Sequence, residues 1–235
     1  MPPLTRAAAA GASSLALLPL LAGCGSLGQL GTPPHNRPAT SFTVPGPVSA
    51  VVIHSGSGSV DVTGSTRSTV RVSQQVSYSK MPPHATHALR GGTLTISYSC
   101  PVELVCGVSY DVRVPRGVAV TVSAGAGSVT LTSLTGPVSA RAGAGLITAN
   151  GLRSATASFT SNAGAVLASF LAAPRSLTAN TNVGPITLTV PGSAAYRIST
   201  HTFVGSATVT VHRSGSAAHS ISARSDLGSI SISPG

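Results

Sequence analysis

The sequence predicts an all-β protein, a β-solenoid of about six coils that follows an N-terminal meander of strands. Three observations predict this class. From Val48 onward apolar and polar residues alternate, which is the pattern of half-buried strands. Only 3% of the residues are aromatic, so the core has to be built mainly from small and β-branched side chains, which favour strands. A glycine also recurs through the second half of the chain at intervals of about 20 residues, a period typical of solenoids.

The N-terminus resembles a bacterial lipoprotein signal peptide. Arg6 precedes an apolar run, Ala7–Leu21, and the lipobox-like sequence LAGC ends at Cys24. The resemblance implies that residues 1–23 are removed, that the Cys24 thiol carries diacylglycerol, and that the lipid anchors the mature chain to the outer face of the cytoplasmic membrane. The apolar run is shorter than the roughly 20 residues that a membrane-spanning helix requires. A plain secretory signal, in which Cys24 has no role, is the alternative.

The next two segments lead from this anchor to the repeats. Residues 24–45 are rich in Gly, Pro and Ser and lack periodicity, so they are predicted to form a flexible tether. Residues 46–115 are predicted to form a meander of strands that leads into the solenoid and caps it. Cys100 and Cys106 flank a short segment that contains a proline, and in an oxidising compartment this arrangement predicts a disulfide across a hairpin. Their spacing does not match a CxxC metal or redox motif.

Residues 116–235 contain the repeat itself. In each copy an anchor glycine is preceded by apolar residues seven and five positions earlier and followed by apolar residues two and four positions later. Each copy is therefore predicted to form a strand, a glycine corner, a second strand and a variable turn. Thr200 is the one polar residue in these slots, and an outlying copy surrounds Gly58. The anchors are Gly127, Gly145, Gly164, Gly184, Gly205 and Gly228.

The cadence SYDVRVPRGVAVTVSAGAGSVTLTSLTGPVSARAGAGLITANG resembles the bacterial putative-adhesin family, a domain family of unknown function from envelope proteins. The resemblance covers the chain from about Val48 to its C-terminus. It implies a right-handed parallel β-helix-like fold and a location outside the cytoplasm. It supplies no catalytic residues, because the family is defined by its scaffold.

The residue types argue against catalysis: serines and histidines are present, but no GxSxG nucleophile motif is found. The glycine corners are not followed by a helix, and the chain has no GK pair, so nucleotide-binding loops are excluded. Glycosidases work with paired carboxylates, whereas this chain has four acidic residues on different predicted elements. The sequence therefore predicts a non-catalytic protein without a cofactor. Two alternatives stay open: a polysaccharide-acting β-helix enzyme, which a groove of clustered Asp and Arg would favour, and metal or solute capture by His84 and His87 in a HATH loop.

Charge and outward-facing residues predict an interaction surface. The net charge of +10 is spread along the chain, which suits anionic partners such as cell-wall polymers, or another envelope protein. Nucleic acid is not predicted, because basic clusters with interleaved aromatic residues are missing. Hydroxyl residues recur three and five positions after the anchors, so stacked coils should align them into ladders. Such ladders could dock sugars, a flat surface or another sheet. The alternative is that these threonines and serines are ordinary solvent-facing strand residues. The predicted surface comprises Thr130, Thr132, Thr148, Thr187, Thr189, Thr208 and Thr210, with a candidate arginine stripe that includes Arg141, Arg153 and Arg175.

Overall fold

Residues 35–101 and 105–235 are described by the computed structural model, and they form strands and turns without a helix. The strands of the first half are β1 (His35–Asn36), β2 (Thr40–Val44), β3 (Ala50–Ser57), β4 (Val60–Ser65), β5 (Val70–Tyr78), β6 (His84–Arg90), β7 (Thr93–Ser99), β8 (Cys106–Pro115), β9 (Ala119–Ala126) and β10 (Val129–Thr132). Those of the second half are β11 (Val138–Ala144), β12 (Ile147–Leu152), β13 (Thr156–Ala163), β14 (Val166–Phe170), β15 (Ser176–Val183), β16 (Ile186–Val190), β17 (Tyr196–Val204), β18 (Ala207–Val209), β19 (His219–Leu227) and β20 (Ile230–Pro234).

The strands form two sheets. The nine-stranded sheet has the order β17-β19-β15-β13-β11-β9-β3-β7-β6. The eleven-stranded sheet has the order β1-β5-β8-β4-β10-β12-β14-β16-β20-β18, with β2 also paired to β5. Pairing is parallel from β7 to β17 in the first sheet and from β8 to β18 in the second. Because each repeat supplies one strand to each sheet, the architecture is solenoid-like, as the period predicts.

The predicted glycine corners are present between the two strands of each repeat. Gly127 and Gly145 have φ values of +137° and +154°, in a region that side chains disfavour. A Cβ on either residue would also collide with the carbonyl oxygen of the preceding anchor glycine in the stack. Two positions earlier, a Cβ on Gly125 would lie 2.5 Å from the Gly56 carbonyl oxygen. The corners therefore stack with their backbones too close together for side chains.

The repeat around Gly58, predicted as an outlying copy within the N-terminal meander, belongs to the stack itself. Strand β3 pairs in parallel with β9, and β4 pairs in parallel with β10, so that Val51 lies beside Val120 and Val60 beside Val129. Within the described residues, the outlying copy around Gly58 thus stacks with the six copies predicted from Gly127 to Gly228. The long interval between Gly58 and Gly127 arises because β5–β8 are inserted in sequence and add strands at the end of both sheets.

The last two repeats are stacked in the reverse of their chain order. Strand β19 lies between β15 and β17, and β20 lies between β16 and β18, so the C-terminal repeat is internal and the Gly205 repeat is at the end. Burial explains this order. The C-terminal repeat has apolar residues in all four slots, and all four are buried. In the Gly205 repeat, Thr200 is polar and Ile198 is only half-buried. A polar residue in a core slot costs less free energy at the end of the stack, because one side of that coil faces solvent.

Part of the segment predicted as a flexible tether forms strands instead, because β1 and β2 pair antiparallel with β5. Phe42 packs against the core and Val44 is buried, so the alternating pattern already begins here. The disulfide between Cys100 and Cys106 is present, with 5.8 Å between the Cα atoms. It does not close a hairpin as predicted, because β7 and β8 belong to different sheets; it joins the residue that follows β7 in one sheet to the first residue of β8 in the other. The signal peptide and Cys24 lie outside the described residues.

A single apolar core fills the space between the sheets. Its members are mainly Val, Ile, Leu and Ala from the four repeat slots, with Phe159, Tyr110 and Tyr196 as its bulkiest side chains. Outward-facing residues alternate with them along the strands inside the stack, such as β9, β13, β15 and β19. Across residues 35–101 and 105–235, no helix has the length and hydropathy needed to cross a membrane.

Candidate functional site

The outer face of the eleven-stranded sheet carries two rows of mainly hydroxyl side chains, which are in register except where the pairing of β12 and β14 shifts, and we call these rows the hydroxyl ladder. In a parallel sheet neighbouring strands lie about 4.8 Å apart, so in-register side chains on one face are neighbours. The first row, in spatial order, is Thr130, Thr148, Leu167, Thr187, Ser231 and Thr208. The second row is Thr63, Thr132, Asn150, Ser169, Thr189 and Ser233.

The ladder has two irregularities and one extension. Leu167 interrupts the first row with a 37% exposed side chain. The pairing register of β12 and β14 shifts after Ala149, and there the Gly151 amide donates a hydrogen bond to Ser169 Oγ at 3.0 Å. At the far end, the Thr210 amide and hydroxyl both donate to the Ile232 carbonyl, so Thr210 extends the second row beyond β18. The predicted threonines therefore lie together on one face.

The candidate arginines, in contrast, do not align with one another. Arg141 is on the nine-stranded sheet, where its in-register neighbours are Ser123 and Thr160. Arg153 lies in a turn and lines a small surface hollow of about 220 Å³ together with Arg116. Arg175 lies in another turn, before β15. Because these residues occupy different parts of the repeat, stacking does not bring them into one stripe.

A basic groove that the sequence reasoning missed lies where the ladder meets β5 and β8. We call it the arginine groove. Arg71 on β5 is directly opposite Arg113 on β8, and Arg67 reaches the same groove from the turn between β4 and β5. The groove has a volume of about 400 Å³. Its lining residues are Ala39, Ser41, Thr43, Arg67, Thr69, Arg71, Ser73, Asp111 and Arg113.

Few contacts within the described residues hold the groove's charges. An Nη of Arg71 donates a hydrogen bond to Ser41 Oγ at 3.2 Å. The Nε of Arg113 lies 3.9 Å from a carboxylate oxygen of Asp111, and both side chains are more than half exposed. An exposed ion pair at this distance is weak, because solvent screens it. The guanidinium groups therefore keep donors free for a ligand.

Two carboxylates lie next to the arginine groove. Asp61 on β4 is in register with Asp111 on β8, and both line a second hollow of about 190 Å³. Beneath them, the Tyr110 side chain is buried and its hydroxyl has no hydrogen-bond partner within the described part of the chain. Burial, followed by the influence of Tyr98, raises the pKa of Tyr110 to about 12. Tyr110 thus stays protonated at neutral pH below this acidic pair.

A signal for the groove is present in the sequence. Arg71 and Arg113 each stand between two valines, in VRVS and VRVP, so each was predictable as the outward residue of a buried strand. Periodicity does not reveal which strands become neighbours, however. From the sequence alone the arginines are dispersed and the acidic residues lie on different elements, whereas pairing of β5, β8 and β4 brings them together.

The HATH segment is not the loop that the sequence predicted. It begins β6, an edge strand that pairs antiparallel with β7. His84 and His87 are an odd number of residues apart, so their side chains point to opposite faces of the strand. The His87 ring stacks on Phe42 at a centroid distance of 4.1 Å. Within the described ranges, no group of three or more His, Cys, Asp or Glu side chains is placed to share a metal ion.

Comparison with known proteins gives structural similarities alone. No family profile matches the chain, and no curated protein matches it. Among solved structures, the chain is similar to one described as a putative cell adhesion protein from Clostridium sporogenes, with 12% identity and a TM-score of 0.48 over 84% of this chain and 100% of the other. It is also similar to one described as a putative adhesin from Bacteroides fragilis, with 15% identity and a TM-score of 0.46 over 84% and 97% of the two chains.

Proposed function

We propose that the chain is a lipid-anchored envelope protein that uses the outer face of the eleven-stranded sheet as a non-catalytic interaction surface for an anionic envelope polymer. The observation that carries this proposal is the hydroxyl ladder, which offers hydrogen-bond donors and acceptors at about the same spacing over the length of the stack. A repeating polymer presents its own groups at regular intervals, so it can pair with such a row at many points. The net charge of +10 favours an anionic polymer.

The test places lysines on the ladder. We expect the double variant Thr187→Lys, Thr208→Lys to lose retention on isolated cell-wall polymer, because two long side chains stand up from the flat face. The added positive charge would by itself strengthen attraction to an anionic polymer, so a loss has to come from obstruction of the ladder. The control is Thr121→Lys, Thr156→Lys, which adds the same charge at exposed positions of the other sheet. Equal retention of the two variants would contradict the proposal.

The anchor is proposed from the lipobox alone. Cys24→Ser should move the protein from the membrane fraction to the soluble fraction and remove the lipid mass from the N-terminal peptide, because the thiol is the acceptor. An unchanged distribution, with no lipid on the wild-type peptide, would point to a plain secretory signal instead.

A second function, cleavage of a polysaccharide, is favoured by the in-register pair Asp61 and Asp111 beside the arginine groove. Side chains on adjacent parallel strands are separated by about 4.8 Å, near the roughly 5–5.5 Å between the two carboxyl groups of retaining glycosidases. We rank this function second because the Asp111 side chain is 57% exposed, and the chain has no tryptophan to form a sugar platform. Release of reducing ends from wall polysaccharide that Asp61→Asn abolishes would establish it in place of the binding role.

A further inference from the structure

The arginine groove contains a pairing that stability alone disfavours. Arg71 and Arg113 are direct cross-strand partners on one face of the antiparallel pair β5 and β8. Like charges at such positions destabilise a sheet, because the side chains project side by side. Each arginine lies between two buried valines, so any polar residue that faces solvent would be compatible with the fold at either position. An anion that neutralises the pair accounts for its presence.

The directions from which the arginines reach the groove indicate the shape of that anion. Arg67 comes from a turn, Arg71 from β5 and Arg113 from β8, so three guanidinium forks approach from three elements. A planar carboxylate has two oxygens and is satisfied by one or two forks, whereas a tetrahedral oxyanion offers three oxygens in different directions. Hydroxyls of Ser41 and Thr43 from the neighbouring strand β2 add further donors to the lining. The groove therefore fits a phosphate group better than a carboxylate.

The charge of the groove indicates which kind of phosphate it takes. Three arginines and Asp111 leave a net charge of +2 in the lining. A phosphate monoester carries close to two negative charges above pH 7, whereas an internal phosphodiester carries one. At a dielectric constant of about 50, between the values for bulk water and for a pair near a protein surface, an additional charge about 5 Å from a cation changes affinity by about tenfold.

We propose that the arginine groove binds a phosphate monoester, the group that ends or decorates a phosphate-containing envelope polymer. The inference rests on the proposed function for the identity of the polymer, but the site is defined by its own residues. In spatial order, Arg71 and Arg113 continue the second row of the hydroxyl ladder through Thr63 and Thr132. The groove thus holds the charged group at one end of the face along which the rest of the polymer pairs.

Titration calorimetry of the purified protein with glycerol 3-phosphate tests the site. Wild-type protein should bind, and Arg71→Gln and Arg113→Gln should each weaken binding by about tenfold or more, because each removes a charge-assisted donor. The control is Arg141→Gln, which removes the same charge from an exposed position on the other sheet and should bind as wild type does. Arg71→Gln should also unfold at an equal or higher urea concentration than wild type, because it removes the like-charge pair.

A pH series separates phosphate from other anions. The second pKa of a phosphate monoester is about 6, so lowering the pH from 7.5 to 5.5 should weaken its binding by about fourfold. Inorganic sulfate keeps its charge over this range and should show no such change. The charged groups that face the ligand are the three arginines and Asp111, and no histidine lines the groove. Binding of acetate as tight as that of glycerol 3-phosphate would overturn the assignment.

The outcomes distinguish this inference from the proposed function. If glycerol 3-phosphate does not bind, or if Arg71→Gln and Arg141→Gln bind it equally, the groove is not a phosphate site, even when the polymer is still retained by the ladder. If glycerol 3-phosphate binds through Arg71 while the polymer is not retained, the site stands and the polymer-binding function fails. Tighter binding of glycerophosphoglycerol than of glycerol 3-phosphate would overturn the preference for a monoester.

Discussion

Replacing Gly125 by alanine tests the stacking of the Gly58 repeat against the Gly127 repeat. The new Cβ would lie 2.5 Å from the Gly56 carbonyl oxygen, which is backbone and cannot rotate away. Gly125 does not have a positive φ, so contact with the neighbouring coil is the main effect of this change. Overpacking of this kind costs about 1–3 kcal/mol. For a domain of this size, a loss of about 2 kcal/mol corresponds to a fall of about 4–8 °C in the melting temperature.

Urea unfolding followed by far-UV circular dichroism, with the disulfide intact, measures the effect. Gly117→Ala is the matched control, because its Cβ would come no nearer than 4.0 Å to Thr135. It should be neutral or slightly stabilising, since alanine restricts the unfolded chain more than glycine does. Gly127→Ala should be worse than Gly125→Ala, because its φ of +137° adds about 1–3 kcal/mol of backbone strain.

The result that would refute this reasoning is a Gly125→Ala variant within about 0.5 kcal/mol of Gly117→Ala, which is the usual range for a neutral surface change. Residues 50–65 would then not be stacked against residues 119–132 at this corner. A large loss in Gly127→Ala alone would leave the backbone strain as its explanation, and for this reason both variants are needed.

Two further predictions concern the core. Tyr110→Phe should raise the free energy of unfolding by about 1 kcal/mol at pH 7, because it removes a buried hydroxyl that has no partner among the described residues. Because the pKa of Tyr110 is raised from 10.0 to about 12, the wild type should keep its stability below pH 10 and lose about 2–3 kcal/mol as the pH rises towards 12. Tyr110→Phe should lack this loss. Parallel pH profiles of the urea midpoint for the two proteins would contradict the burial of the hydroxyl. Ile221→Ala should cost about 2–4 kcal/mol in the same urea assay, and Ile198→Ala clearly less, because Ile221 is buried inside the stack and Ile198 is half-buried at its end. A larger loss in Ile198→Ala than in Ile221→Ala would indicate instead that the last two repeats are stacked in chain order.

Periodicity in the sequence predicts the content of each coil well. The slots around Gly127 and Gly145 are buried as expected, and the glycines themselves occupy corners with positive φ. Both features are local: they depend on residues within about ten positions of the anchor, and strand alternation determines which side faces the core. The hydroxyl ladder follows from the same register.

The order of the coils was not predictable to the same degree. The period is interrupted between Gly58 and Gly127, and such an interruption does not indicate whether the repeats on its two sides stack together. The sequence therefore places the Gly58 copy within a meander. Thr200 was the available signal that its repeat occupies an end, because a polar residue in a core slot is tolerated best where solvent reaches it. The arginine groove depends on pairing between β5 and β8, which are separated by the hairpin of β6 and β7, and no local pattern encodes that pairing.

The internal position of the C-terminal repeat has a consequence for how the chain reaches its native state. In most stacked architectures each unit contacts only its neighbours along the chain, so a unit can dock as soon as the adjacent unit in the sequence has formed. Here β17 and β18 cannot reach their final neighbours until β19 and β20 exist, because residues 219–235 lie between them and the rest of the stack. Final closure must therefore wait until residues 219–235 have been made, and a chain cut short before residue 219 lacks the strands that join the Gly205 coil to the others.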